Sequence, residues 1–167
     1  MDPRLSMIFA RRSTRAYTGQ PVSKEDIRSL LEAGMAAPSA SNRKPWHFVV
    51  VSNRDALRKL AEKHPYGKML AGAALAIVVC GDPAVSDWWE QDCAAATENI
   101  LISAAGLGLG GVWLGCHGRE DRENAVRSLL GIPGGLGVLS LISLGHPAEQ
   151  KEPRTQYEEA RVHWDRY

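Results

Sequence analysis

Apolar positions along this chain change period several times, and each change marks an element. Ser23-Lys24-Glu25-Asp26 has the form of a capping box, and Ile27, Leu30, Leu31 and Met35 then recur at helical spacing. A helix is predicted that ends near Gly34 to Ala37. His47-Phe48-Val49-Val50-Val51 reads as a strand, and Asn53 caps a second helix whose stripe is Ala56, Leu57, Leu60 and Ala61. After a turn at His64-Pro65-Tyr66-Gly67, a short segment from Lys68 leads to Leu75-Ala76-Ile77-Val78-Val79-Cys80. That unbroken apolar run predicts a central strand covered on both faces.

The longest predicted helix runs from about Asp87 to Ala105. It is Ala-rich with few charges, so it should pass through or beside the core. Gly106-Leu107-Gly108-Leu109-Gly110-Gly111 follows, read as a helix C-cap and close-packed turn before the strand Val112-Trp113-Leu114. These glycines satisfy GxGxxG, yet a dinucleotide fingerprint needs a strand before it and a helix after it, and here the order is reversed. Beyond the loop Gly115-Cys116-His117-Gly118, a helix is expected from Glu120 or Asp121 to Leu130, stopped by Gly131-Ile132-Pro133, and then a buried strand over Val138 to Leu144. The end of the sequence, Arg161 to Tyr167, is strand-like, and its Val, Trp and Tyr argue that it docks on something. Strands interleaved with helices, without a repeat or linker, predict one layered α+β domain over 1–167.

Charge narrows the function. Twenty Lys and Arg against 19 Asp and Glu leave a net charge of +1, which argues against a general nucleic-acid or membrane-surface binder. Cys80, Cys93 and Cys116 are odd in number and lack a CxxC spacing, so neither a disulfide framework nor a metal site is expected, and a cytoplasmic setting fits best. No signal peptide or membrane-spanning stretch is read.

Against this balance one segment stands out. Arg11-Arg12-Ser13-Thr14-Arg15 places three guanidiniums and two hydroxyls within five residues. Guanidinium forks match phosphate oxygens and do not deprotonate. On an extended backbone Arg11, Ser13 and Arg15 point to one side, making a phosphate cradle; the alternative is a solvated basic segment. A second candidate is the polar, proline-bounded loop from Pro38 to Trp46, set between a helix and a strand, where function is often carried.

Several segments together resemble the nitroreductase family of FMN-dependent oxidoreductases. They are Ile8-Phe9-Ala10-Arg11-Arg12-Ser13-Thr14-Arg15, Ala37-Pro38-Ser39 with Asn42 and Pro45-Trp46, Gly106-Leu107-Gly108 before Trp113, Leu130-Gly131-Ile132-Pro133, Gly145-His146-Pro147, and Val162-His163-Trp164. They occur in the family's order over nearly the whole chain, as in a short-chain member.

The resemblance implies a nitroreductase-like layered fold, with a central mixed, mostly antiparallel sheet flanked by helices and a C-terminal strand exchanged with a partner subunit. It implies a homodimer with FMN in the interface. Arg11, Ser13 and Arg15 would bind the FMN phosphate, with Arg12 acting mainly through its backbone and Arg154 joining late in the chain. The loop of Pro38, Ser39 and Asn42 would reach the flavin, with Ser39 supplied across the dimer. Lys68 would sit by flavin N1 and O2, where a cation stabilises the reduced form. Backbone amides of Leu114 and Gly115 would approach N5.

The implied activity is ping-pong hydride transfer from NADH or NADPH through N5 to an oxidised acceptor such as a nitroaromatic or quinone. The cofactor carries the chemistry, so no catalytic triad is required, and His47, His117 and Cys116 are read as structural. Two departures matter: Lys44 stands where the family commonly has Gln, and the substrate-covering insertions of larger members are absent. They keep open a rival, a non-catalytic flavin-binding carrier or redox-sensing protein.

Overall fold

Side-chain caps set where the helices start. In a computed structural model describing residues 1–167, Ser23 Oγ accepts the Asp26 N–H at 2.9 Å at the head of α2 (Lys24–Met35). Asn53 Oδ1 accepts the N–H groups of Asp55 and Ala56 at the head of α3 (Arg54–Lys63). Each cap satisfies donors that the first helical turn leaves open. The remaining elements are α1 (Ser6–Ala10), β1 (Trp46–Val51), β2 (Leu75–Gly81), α4 (Trp89–Gly106), β3 (Gly110–Gly115), α5 (Glu120–Leu130) and β4 (Gly137–Gly145). Four short 3-10 turns supplement them, including Lys68–Gly72.

The four strands form one sheet in the order β1-β2-β4-β3, with every ladder antiparallel. Parallel pairing enters only through an isolated bridge between Ser13 and Gly111. Alternation along the buried strand β2 divides the core into two layers. Leu75, Ile77 and Val79 pack with Leu30 of α2 and with Cys93, Ala96 and Ile100 of α4. Ala76, Val78 and Cys80 pack with Leu57 and Leu60 of α3 and with Val126 of α5. Each fully buried Leu, Ile or Val contributes roughly 1.5–3 kcal/mol, so a strand with no exposed face belongs in the middle of an α+β sandwich. A register shift beside Val79 and Cys80 marks a bulge. Next to it Ser140 faces α4, where its hydroxyl meets Thr97 Oγ1 at 3.0 Å. No helix is long and apolar enough to cross a membrane.

Two differences from the sequence reading have physical causes. Gly110 and Gly111 begin β3 instead of closing the preceding turn. A Cβ at Gly110 would lie 2.6 Å from Thr14, so glycine there admits a neighbouring segment and does not merely turn the chain. The segment from Arg161 to Tyr167 forms no strand within the chain; only a 3-10 turn at Glu159–Arg161 precedes it. Trp164 and Tyr167 lie open to solvent. A strand requires a ladder partner, and none of this chain's four strands pairs with that segment.

Candidate functional site

The basic segment is seated by its small central residues. Thr14 donates its N–H to Gly111 C=O at 3.0 Å, and its buried side chain lies over Gly110. Lys151 Nζ donates to Ser13 C=O at 3.1 Å from the far end of the chain. With the backbone pinned along β3, the three guanidiniums diverge. Arg11 pairs with Glu98 of α4 at 3.2 Å, and Arg12 donates to the Glu152 carbonyl. Both border a hollow of about 410 Å³ that is closed by residues 149–153. Arg154 donates its N–H to Phe9 C=O at 3.0 Å, which places its backbone beside α1 while its side chain stays exposed.

Arg15 turns into a second cavity, of about 430 Å³, where it meets Lys68, Leu114 and Gly115. Four of the candidate residues thus come together from three separate stretches of sequence. Arg15 and Lys68 are exposed, and neither joins an ion pair. Two unpaired cations at one cavity favour an anionic or electron-accepting ligand.

The wall between them is a free sheet edge. Cys116 N–H bonds across to Leu139 C=O at 3.0 Å, and Gly111 C=O accepts from Thr14 on the other side. Alternation therefore turns the N–H and C=O of Trp113 and Gly115 away from β4 and toward the cavity. No atom lies within 4 Å of where a Gly115 Cβ would stand, so a planar ligand can approach the backbone there.

Sequence reasoning missed three residues at this wall. His64, Tyr66 and Arg122 fall in a stretch read as a turn and on a helix read only for its apolar face. His64 Nε2 lies 3.1 Å from Gly115 C=O, and Arg122 Nη1 donates to the same oxygen at 3.1 Å. Arg122 also sits 5.3 Å from the centroid of the Tyr66 ring. Burial holds the His64 pKa below its ordinary value against the opposite pull of the Gly115 bond; the Arg122 charge lowers it a little further and Asp121 raises it a little. An aromatic and cationic turn followed by Lys68 was the one signal available.

Pro38, Ser39 and Asn42 lie elsewhere. Their loop precedes β1 at the opposite edge of the sheet from β3, three strand spacings or roughly 14 Å across. It is a strained, internally bonded loop. Ser41, Asn42 and Lys44 have φ of 52°, 56° and 52°, and Ser39 Oγ accepts the Lys44 N–H at 3.0 Å. Within one chain this loop does not reach the cavity.

Two of the three side chains read as structural, His117 and Cys116, have defined surroundings. His117 lies between Glu90, at 3.0 Å, and Glu123, at 3.1 Å. Cys116 is buried, which pushes its thiol up to about 12. It therefore keeps its proton near neutrality. No three His, Cys, Asp or Glu side chains are grouped to hold a metal ion.

Comparison with known proteins identifies the family. The nitroreductase family profile matches residues 8–64 and 61–146. A protein of Archaeoglobus fulgidus that carries the provisional name NADH dehydrogenase/NAD(P)H nitroreductase is 48% identical, over 100% of both chains. The solved structure of an FMN-dependent nitroreductase from Clostridium difficile superposes with a TM-score of 0.92 at 29% identity, covering 98% of this chain and 99% of that one. A provisionally named nitroreductase from Desulfovibrio desulfuricans, solved in complex with FMN, superposes with a TM-score of 0.80 at 34% identity, covering 96% and 94%. By sequence along most of its length, and by fold, the chain belongs to the nitroreductase family.

Proposed function

We infer that this protein is an FMN-dependent NAD(P)H oxidoreductase, acting as one domain over residues 1–167. The observation that carries the reading is the meeting of Arg15 and Lys68, both without carboxylate partners, at the exposed backbone edge of Gly115. The residues present fit FMN. A guanidinium suits its phosphate, an ammonium suits the electron-rich pyrimidine edge, and a side-chain-free backbone N–H suits close contact with a flat ring. Relatives named or solved as FMN proteins support the same assignment.

FMN held here would supply two-electron chemistry, ping-pong hydride transfer through N5 from NADH or NADPH to an oxidised acceptor such as a nitroaromatic or quinone. The chain's own contribution is placement and charge. Arg15 would hold the phosphate from the second cavity, whereas Arg11 of the same segment turns to the first hollow and pairs with Glu98. Lys68 offsets negative charge at the pyrimidine edge. Gly115 would present its backbone N–H to the central ring, with Leu114 beside it on the cavity wall.

The reading includes a homodimer. Pro38, Ser39 and Asn42 cannot reach the cavity of their own chain, so they would serve the partner's, and the exposed C-terminal segment would cross to the second subunit. The three unpaired thiols favour a cytoplasmic setting. The test is the visible spectrum of the purified protein under anaerobic conditions, before and after NAD(P)H. A flavin spectrum that bleaches, and returns when a quinone is added, supports the reading. A flavin that binds without bleaching would favour the carrier, and a protein that cannot take up FMN would overturn the assignment.

A further inference from the structure

Three elements converge on one carbonyl oxygen. Gly115 ends β3, His64 caps the C-terminus of α3, and Arg122 lies in the first turn of α5. His64 Nε2 and Arg122 Nη1 each stand 3.1 Å from Gly115 O. The protonation of His64 follows from its other nitrogen. Nδ1 faces the Tyr66 backbone N–H at 3.2 Å, and a peptide N–H can only donate. Nδ1 is therefore the acceptor, and the single ring proton sits on Nε2, pointed at Gly115. With both ring nitrogens occupied, His64 is not available as a proton donor to a substrate.

We propose that His64 and Arg122 are positioning residues, which together hold the Gly115 carbonyl so that the Gly115 N–H keeps a fixed aim into the cavity. This rests on the FMN reading above and deepens it. A glycine at the last position of an edge strand has the widest choice of backbone angles in the chain and no side chain to restrain it. Two donors fill both lone-pair directions of its carbonyl oxygen, while Cys116 and His117 both donate to Leu139 C=O on the far side. The peptide after Gly115 is thus held at both its C=O and its N–H, and the peptide before it, which carries the Gly115 N–H, is held by the pairing of Leu114 with Leu141. Arg122 is itself aligned by the Tyr66 ring, and its buried Nε has no partner, so its orientation serves Nη1 alone. Preorganised donors of this kind favour the charge that develops on a bound group without reorganising first.

The test compares His64→Leu, His64→Gln and Arg122→Leu with the parent, reading the ratio of dissociation constants for oxidised and reduced FMN from the midpoint potential of the bound flavin. An aim that favours the reduced form would be lost in His64→Leu and in Arg122→Leu, moving that ratio by roughly three- to tenfold against reduction, the worth of one hydrogen bond. His64→Gln, whose amide can still donate to Gly115, should keep most of the parental ratio. A purely structural role would lower the unfolding midpoint of both Leu variants and leave the potential of the bound flavin where it was, and that result overturns the proposal. If His64→Leu does not fold, Arg122→Leu carries the test alone, because its side chain is only partly buried. Failure of the parent protein to bind FMN would instead sink the functional reading, so the two failures are distinguishable.

Discussion

The carboxylate of Asp92 accepts the backbone N–H of Ala40 at 2.9 Å, joining residues 52 positions apart in sequence. Asp92 is buried near the start of α4, and its other oxygen accepts the Ser86 hydroxyl at 3.0 Å. The strained loop of Ser39 to Lys44 is therefore anchored on the longest helix of the fold. Replacing Asp92 with Ala leaves a buried hydroxyl and a peptide N–H without their acceptor. The expected cost is about 1–3 kcal/mol by denaturant unfolding, with Asp92→Asn milder because an amide oxygen can still accept. An Asp92→Ala variant as stable as the parent would show that water replaces the carboxylate at no cost.

Gly110 controls the seat of the basic segment. In Gly110→Ala the new methyl would stand 2.6 Å from Thr14, whose N–H bond to Gly111 holds the segment along β3. Overpacking of this kind typically costs about 1–3 kcal/mol, and here it should also weaken FMN binding by displacing Arg15. Fluorescence titration with FMN, run beside thermal unfolding, separates the two effects.

The diverging arginines make unequal predictions. Arg15→Ala should weaken FMN binding roughly 10- to 100-fold, because a charge-assisted phosphate contact disappears. Arg12→Ala should matter less for binding, since its guanidinium already donates to the Glu152 carbonyl. Equal FMN affinity in Arg15→Ala and the parent would mean that the phosphate lies elsewhere, and the hollow beside Arg11 would be the place to look.

Acid should loosen the wall at Gly115. The folded protein holds the His64 pKa below 6.5, chiefly through burial, which outweighs the opposite pull of the Gly115 hydrogen bond; the facing Arg122 adds a smaller push down and Asp121 a smaller one up. The unfolded chain then binds this proton more tightly than the folded one. Stability from this residue is complete above about pH 6.5 and is lost as pH falls through the lower folded value. Denaturation midpoints measured from pH 7 downward should fall less in His64→Gln than in the parent, and parallel curves would remove His64 as a cause.

Removing residues 155–167 tests the proposed assembly. In the single chain the tail keeps Tyr157, Trp164 and Tyr167 in solvent, an exposure of large aromatics that burial against a second copy would relieve. Sedimentation velocity should show the 167-residue protein as a dimer and the shortened one shifted toward monomer. A shortened protein that sediments as the same dimer would assign the interface to other surfaces.

Much of this fold was legible before any coordinates. Capping by Ser23 and Asn53, the unbroken apolar run of Leu75 to Cys80 and the stop at Gly131 are local signals, encoded by hydrogen-bond geometry and periodicity within a few residues. The basic character of Arg11 to Arg15 and the polarity of the Pro38 to Trp46 loop were equally plain. What the sequence determined by itself was the inventory of helices and strands and the presence of an anion-seeking segment, because these depend on neighbours along the chain. Tertiary structure alone decided that Arg15 departs from Arg11 and Arg12, that Lys68 meets it beside Gly115, and that His64 and Arg122 close on one carbonyl. Those relations depend on which sheet edge is left open and which helix ends abut it, and long-range packing sets both.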